Sequence, residues 1–302
     1  MILGNLDKLS PIVLFVYNRL EHTKRTVESL LNNTLVSKST LLIFSDGAKS
    51  DEDILAVDAV RNFIKTIKGS NKIEIIEREK NFGLANSVIV GVNEVISLFG
   101  KAIVLEDDMI SSPYFLKYMN EVLNYFEDDQ RIFSVTGYTF PIKIPGNYKH
   151  PLYLSPRSSS WGWGTWKNRW EKADWEINDF QSFINDKSRV DSFNLGGDDL
   201  TRMLKNSISR KVDSWSIKWT YTHFLNNAYC VYPVKSRIKN IGADESGVHT
   251  IKTKKYDVEL ELNDMELKVI EVLHPNEEIL RNFRKFFRKN IFSTVIQKLS
   301  VL

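Results

Sequence analysis

The sequence predicts an α/β protein, a mostly parallel sheet with helices on its faces. Two observations lead there. Short β-branched runs alternate with longer stretches of helical periodicity through the first half of the chain, the pattern of strand–helix crossover units. Those runs are apolar from end to end, which marks strands buried on both faces. Composition agrees: 302 residues, 42% apolar and 26% charged, are ordinary for a globular chain of one large or two small domains. Disordered, collagenous and coiled-coil classes are excluded.

The elements follow in order. Ile12–Val16 is a buried strand, and a helix runs from about Glu21 to Asn32. Leu41–Ser45 is the second strand, and Asp51–Ile67 the second helix, with Ile54, Val57, Val60 and Ile64 on its apolar face. Ile73–Ile76 and Leu84–Phe99 form the third pair, Ala102–Leu105 and Pro113–Phe126 the fourth, with Pro113 where a first helical turn tolerates it. After about Tyr138 the character changes. Prolines at 141, 145, 151 and 156 punctuate an irregular stretch, and all seven tryptophans fall between Trp161 and Trp219. A last helical pattern starts near Asn276.

Charge, cysteine and hydropathy narrow the partners. The formal charge of +3 is too small to suggest a nucleic-acid partner. Residues 281–302 hold six basic residues and no acid, so the excess is a tail. Cys230 is the sole cysteine, which excludes an internal disulfide and suits a reducing compartment. No apolar run nears the ~20 residues that cross a bilayer. The N-terminal run lacks the basic start and small-residue cleavage site of a signal peptide, so a cytoplasmic protein is expected.

In open parallel sheets ligands bind beyond the carboxyl ends of the strands. The fourth strand ends in Glu106-Asp107-Asp108. Adjacent anions at a partly desolvated strand end repel unless a cation offsets them, and a divalent ion shared with substrate phosphates would do so. The plainer reading is a solvated loop with one acid capping the next helix. Asp46, before Gly47 at the end of the second strand, is a turn residue or an acceptor for a ribose or base edge. Arg19 faces a phosphate or nucleotide ring, or plain solvent, and Asn81 with Gly83 forms a turn or a helix cap. The four fall on one edge of the predicted sheet. GxGxxG and GxxxxGK[ST] are both missing, so a metal and side chains would have to neutralise any phosphate. Nor is there a Cys/His cluster for zinc.

These strand ends resemble the GT-A fold of nucleotide-sugar glycosyltransferases, nearest to the family-2 and N-acetylglucosaminyltransferase I groups. Glu106-Asp107-Asp108 is similar to their EDD motif. Ser158–Trp170 (SSSWGWGTWKNRW) looks like the segment lining the donor–acceptor site, Asp213–Trp219 (DSWSIKW) the segment carrying the base, and Pro233–Thr250 the closing Gly-Val-His segment. The likeness spans roughly residues 10–250 and departs at Asp244 and Glu245, where a glycine-richer turn is usual. It implies that Asp108 binds Mn²⁺ or Mg²⁺ bridging the donor diphosphate, with His249 joining as the site closes. Asp107 and Glu106 contact the donor, and Arg19, Asp46 and Asn81 hold the nucleotide, UDP by likeness. Asp213 is the implied general base, with Asp174, Asp198 and Asp199 as fallbacks. One base opposite the leaving group gives inversion.

Trp161, Trp163 and Trp166, in a glycine-rich loop, are candidates for an acceptor platform, since aromatic faces stack on sugar rings. Trp170, Trp175, Trp215 and Trp219 are expected in the core. The expected organisation is a nucleotide-sugar half (1–140), an acceptor half (141–265) and a basic helical tail (266–302). The apolar and basic faces of 281–302 suit an anionic membrane surface presenting a lipid-linked glycan, or a helix packed on the body. Competing readings are a sugar-1-phosphate nucleotidyltransferase, whose glycine-rich arginine loop is missing here, and a glycan-binding protein, which would not need clustered carboxylates.

Overall fold

A computed structural model of the chain describes residues 9–244, 253–264 and 272–288. The first half holds β1 (Ile12–Val16), α1 (Leu20–Leu31), β2 (Thr40–Ser45), α2 (Asp51–Ile64), β3 (Lys72–Glu77), α3 (Leu84–Phe99) and β4 (Lys101–Glu106). Then come a short β5 (Met109–Ser111), α4 (Phe115–Tyr125) and β6 (Ile132–Thr136). Every strand and helix expected in this half is present, with ends shifted by up to three residues. The second half adds β7 (Leu152–Ser155), β8 (Trp163–Trp166), α5 (Lys167–Trp170), α6 (Phe180–Asn185), α7 (Lys187–Phe193), α8 (Leu200–Ile208), α9 (Trp215–Leu225), β9 (Tyr229–Pro233), β10 (Ile238–Asn240) and α10 (Glu277–Phe286).

Eight strands form one sheet in the order β3-β2-β1-β4-β8-β6-β9-β7, and β5 pairs with β10 in a separate two-stranded ribbon. β3, β2, β1 and β4 run parallel, while β8 enters antiparallel between β4 and β6. Alternating side chains supply two cores. Ile12, Leu14, Val16, Leu41, Ile43, Ile103 and Leu105 pack under α1, α2, α4 and α10. Val13, Phe15, Leu42, Phe44, Ala102 and Val104 pack under α3 and α9. A third, smaller cluster joins α6, α7, α8 and α9 through Phe183, Phe193, Leu204 and Tyr221. No helix among the described residues is long and apolar enough to cross a membrane.

The glycine-rich tryptophan stretch departs from expectation. Part of it is the buried strand β8, not a loop. A side chain on Gly164 would stand 2.8 Å from the Ala102 carbonyl, so glycine is what lets β8 lie against β4. Trp163 and Trp166 then point to opposite faces, one into each core.

Candidate active site

The chain leaves β1 toward β2 on one side and meets β4 on the other, so the sheet order reverses between β1 and β4. A crevice opens at such a point beyond the carboxyl ends of the strands. Arg19, three residues past β1, and the acids ending β4 converge there. The Arg19 guanidinium bridges both carboxylates: its Nη2 contacts Asp107 Oδ1 and lies 2.9 Å from Asp108 Oδ2. α1 locks the turn, because Thr26 Oγ1 donates to the Asp107 carbonyl (2.7 Å) and accepts from the Met109 amide (3.0 Å).

The β5–β10 ribbon brings a distant segment over the same acids. The Ile241 amide donates to the Asp108 carbonyl (2.9 Å), and Asn240 Nδ2 donates to Asp108 Oδ1 (3.1 Å). A Cβ on Gly242 would stand 2.1 Å from Asp108 Oδ2, so any other residue there would displace the Asp108 carboxylate. Asp244 Oδ2 lies 3.1 Å from His22 Nε2 on α1.

Burial and the two neighbouring carboxylates push the Glu106 carboxyl up to about 8. Burial also raises Asp107, to about 6, against the opposing pull of Arg19. Burial disfavours the Arg19 cation, yet Asp107 and Asp108 hold its pKa above the ordinary value. The site is short of positive charge, and one guanidinium already bridges two carboxylates as a single cation would.

Among the described residues no cluster of three or more His, Cys, Asp or Glu forms a complete metal cage. A divalent ion here would take one or two carboxylates and complete its shell with water and phosphate oxygens, which is how Mg²⁺ is usually held. The donor set fits such an ion. His249 lies outside the described residues.

Asp46 and Asn81 lie at this sheet edge, and both already bond to the protein. Asp46 is 8% exposed, and its carboxylate accepts the amides of Gly47 (3.1 Å), Phe82 (2.9 and 3.1 Å) and Gly83 (3.1 Å). Asn81 Nδ2 donates to the Gly47 carbonyl (2.8 Å). Together they tie the loop after β2 to the turn that starts α3.

Asp213 reaches that turn from the other half. Exposed just before α9, it accepts the Ala85 amide at the N-terminus of α3 (3.3 Å). The fallback acids are engaged elsewhere. Asp199 makes a two-pronged pair with Arg157 (2.7 and 3.2 Å), Asp198 pairs with Arg284 (2.5 Å) and Arg288 (3.3 Å), and Asp174 caps its own turn at Glu176 and Asn178.

The aromatic candidates divide. Trp163 is fully buried and packs on Trp170 and Trp215, so it presents no face to a sugar. Trp166 is likewise buried, which removes it from a platform. Trp161 is half-buried, edge-on to Tyr138 (4.5 Å) and Tyr256 (5.7 Å). Trp170, Trp215 and Trp219 are core residues, as expected.

Sequence reasoning passed over Phe82. It is 42% exposed beside Leu84 at 40%, and its amide is held by Asp46. The Arg78 guanidinium, anchored on Ser87, lies 4.3 Å from the ring centroid. The signal was present in Asn81-Phe82-Gly83, an aromatic inside a tight turn.

The described part of the tail packs on the body. Ile279, Phe283 and Phe287 of the α10 region are buried against the body, and Phe140 lies 5.2 Å from Phe283 and 5.0 Å from Phe287. The Arg157 guanidinium sits 3.7 Å over the Phe287 ring. The apolar face that would enter a membrane is thus covered over 277–288, and residues 289–302 lie outside the described residues.

The profile of "Glycosyl transferase family 2" matches residues 12–196, more than half of the chain. Among solved structures, the chain is similar to the mannosyltransferase PcManGT from Pyrobaculum calidifontis, in complex with GDP-Man and Mn²⁺, at 11% identity and a TM-score of 0.39. That likeness covers 55% of this chain and 47% of the other. It is also similar to S. aureus TarS, at 11% identity and a TM-score of 0.39, over 76% of this chain and 36% of TarS. This chain therefore spans about half or less of either structure. No curated protein sequence matches it. The chain belongs to glycosyl transferase family 2 and has the mostly parallel α/β sheet of the GT-A fold.

Proposed function

We propose that this family-2 glycosyltransferase is a metal-dependent, inverting enzyme that moves a sugar from a nucleotide-diphosphate donor, a UDP-sugar in the first instance, to a glycan or lipid-linked glycan hydroxyl. One observation carries the proposal: Arg19 bridges Asp107 and Asp108 at the point where the sheet order reverses. A binding module has no need of buried acids that require a cation.

In this reading Asp108, with His249, would hold Mn²⁺ or Mg²⁺ together with the donor diphosphate. When bound, the ion acts as a Lewis acid on the leaving diphosphate. Glu106 and Asp107 orient the donor sugar and ribose, and Arg19 turns from the carboxylates toward the diphosphate. Asp46 and Asn81 keep the nucleotide-side turn rigid.

Asp213 takes the proton of the acceptor hydroxyl as it attacks, and a single base facing the leaving group inverts the anomeric centre. The backbone N–H of Ala85 holds its carboxylate at the start of α3. Phe82, exposed in the turn that Asp46 holds, and Trp161, half-buried between β7 and β8, are the aromatic candidates for the acceptor ring. Residues 1–140 form the donor half and 141–265 the acceptor half, and the enzyme works on the cytoplasmic side.

The test is thermal stability with UDP, GDP, CMP and dTDP, with and without Mn²⁺, for wild type and Asp108→Ala. A ligand at ~100 times its dissociation constant stabilises by about 2.7 kcal/mol. One nucleotide should raise the melting temperature only with metal, and Asp108→Ala should lose that rise. No shift with any nucleotide would overturn the proposal. Retained stereochemistry in the product, read by NMR, would remove Asp213 as the sole base.

A further inference from the structure

We infer that Asn240 is a positioning residue for Asp108, presenting one carboxylate oxygen to a divalent cation by holding the other. The inference rests on the proposed metal role of Asp108 and adds a residue from the far end of the chain.

The geometry is specific about which end of the amide does what. The Gly242 backbone amide can only donate, and it lies 2.9 Å from Asn240 Oδ1. That contact fixes the amide's orientation, so the NH₂ group must face Asp108 Oδ1, at 3.1 Å. The two oxygens of Asp108 are therefore not equivalent. Oδ1 is bound to a neutral donor that pairing with β5 and the Gly242 amide both hold in place. Oδ2 is bound to Arg19, a long side chain with a second carboxylate on which to rest. In place of Arg19, a cation would be offered Oδ2, with the carboxylate already held through Oδ1.

The surroundings support this division of labour. The Ile241 amide holds the Asp108 carbonyl, so backbone and side chain of Asp108 are both fixed by residues 240–241. The backbone at Gly242 closes off the near side of Oδ2, since even a methyl group there would stand 2.1 Å away. Partners of metal-ligating carboxylates commonly tune affinity by 10–100-fold without touching the ion. Asn240 has the geometry of such a partner, supplied by a strand residue 132 positions further along the chain.

The experiment is Mn²⁺ uptake, read from the EPR signal of free Mn²⁺ with UDP and, separately, with GDP present. The proteins are wild type, Asn240→Ala, Asn240→Ser, Ile238→Val and Asp108→Ala, each with its melting temperature. Asn240→Ala should weaken Mn²⁺ uptake about 10–100-fold. Ile238→Val loosens the same strand from its buried side and should lower the melting temperature with Mn²⁺ uptake within about twofold of wild type, which a merely structural role for Asn240 would also show. If Asn240→Ala does not fold, Asn240→Ser, one atom too short to reach Asp108, carries the same expectation.

Uptake by Asn240→Ala within about twofold of wild type, with Asp108→Ala defective, would overturn the inference and leave the metal reading standing. Wild type that takes up no Mn²⁺, or Asp108→Ala that takes it up normally, would overturn both.

Discussion

Gly242→Ala tests the site with the smallest change available. The added methyl would stand 2.1 Å from Asp108 Oδ2, 2.9 Å from its Cγ and 3.1 Å from Arg19 Nη1, whereas ordinary contact begins near 3.4 Å. The carboxylate must therefore move by roughly an ångström, which disturbs its bonds to Arg19 and Asn240. The backbone ribbon is untouched and Arg19 keeps Asp107, so the fold should lose only about 1–3 kcal/mol, the usual cost of one extra methyl in a packed site. For a chain of this length that is about 2–5 °C in melting temperature. Function should suffer more, because an ångström of misplacement at a reacting site costs on the order of 100-fold. Calorimetric melting and Mn²⁺-dependent nucleotide binding measured on the same preparation separate the two effects. A Gly242→Ala protein that binds nucleotide and metal like wild type would refute the placement of residues 240–242 over Asp108.

Other expectations follow from the same contacts. Trp163→Ala should destabilise by about 3–5 kcal/mol, because it empties a core position between Trp170 and Trp215, and should leave acceptor KM unchanged in whatever protein stays folded. A raised acceptor KM without loss of stability would return Trp163 to the acceptor site. Phe82→Ala should do the opposite, melting within about 1 kcal/mol of wild type while acceptor KM rises roughly tenfold and nucleotide binding holds, with Phe82→Trp restoring it. Equal kinetics in Phe82→Ala would dismiss the platform.

Two pH trends oppose each other. Glu106 has its folded pKa raised to about 8 by burial and by its acidic neighbours, so its contribution to stability is present below about pH 4.5 and is lost as pH rises through 8. Melting of metal-free protein in a chelator should fall across that range, and Glu106→Gln should flatten the fall. His223 is lowered to about 4 by burial, so its contribution is present above pH 6.5 and is lost as pH falls toward 4. A melting curve for Glu106→Gln as steep as wild type between pH 5 and 8 would contradict the burial of that carboxyl.

Much of the first half was legible because its signals are local. Apolar runs of five or six residues and helices of regular period need no knowledge of their partners, and the acids after β4 announce themselves by adjacency. The second half was not. Trp163 and Trp166 sit among glycines, which favour a loop on local grounds, and only pairing with β4, some sixty residues earlier, makes them a strand. The α10 region carries an amphipathic pattern that suits a lipid surface as well as a protein one. The acids and aromatics across the fold decide between them, with Asp198 taking Arg284 and Phe140 receiving Phe283 and Phe287.

By itself, then, the sequence determined the parallel α/β half, the acids at its strand ends and the order of the segments that follow, since each depends on neighbours within a few residues. Only the tertiary structure decided what those groups face. It set Arg19 across Asp107 and Asp108, turned Asp46 onto backbone amides, carried Asp213 to the start of α3 and laid Asn240 and Gly242 over Asp108. Each of these is a contact between segments dozens of residues apart, and it is close packing and hydrogen-bond satisfaction across the whole fold that select such contacts.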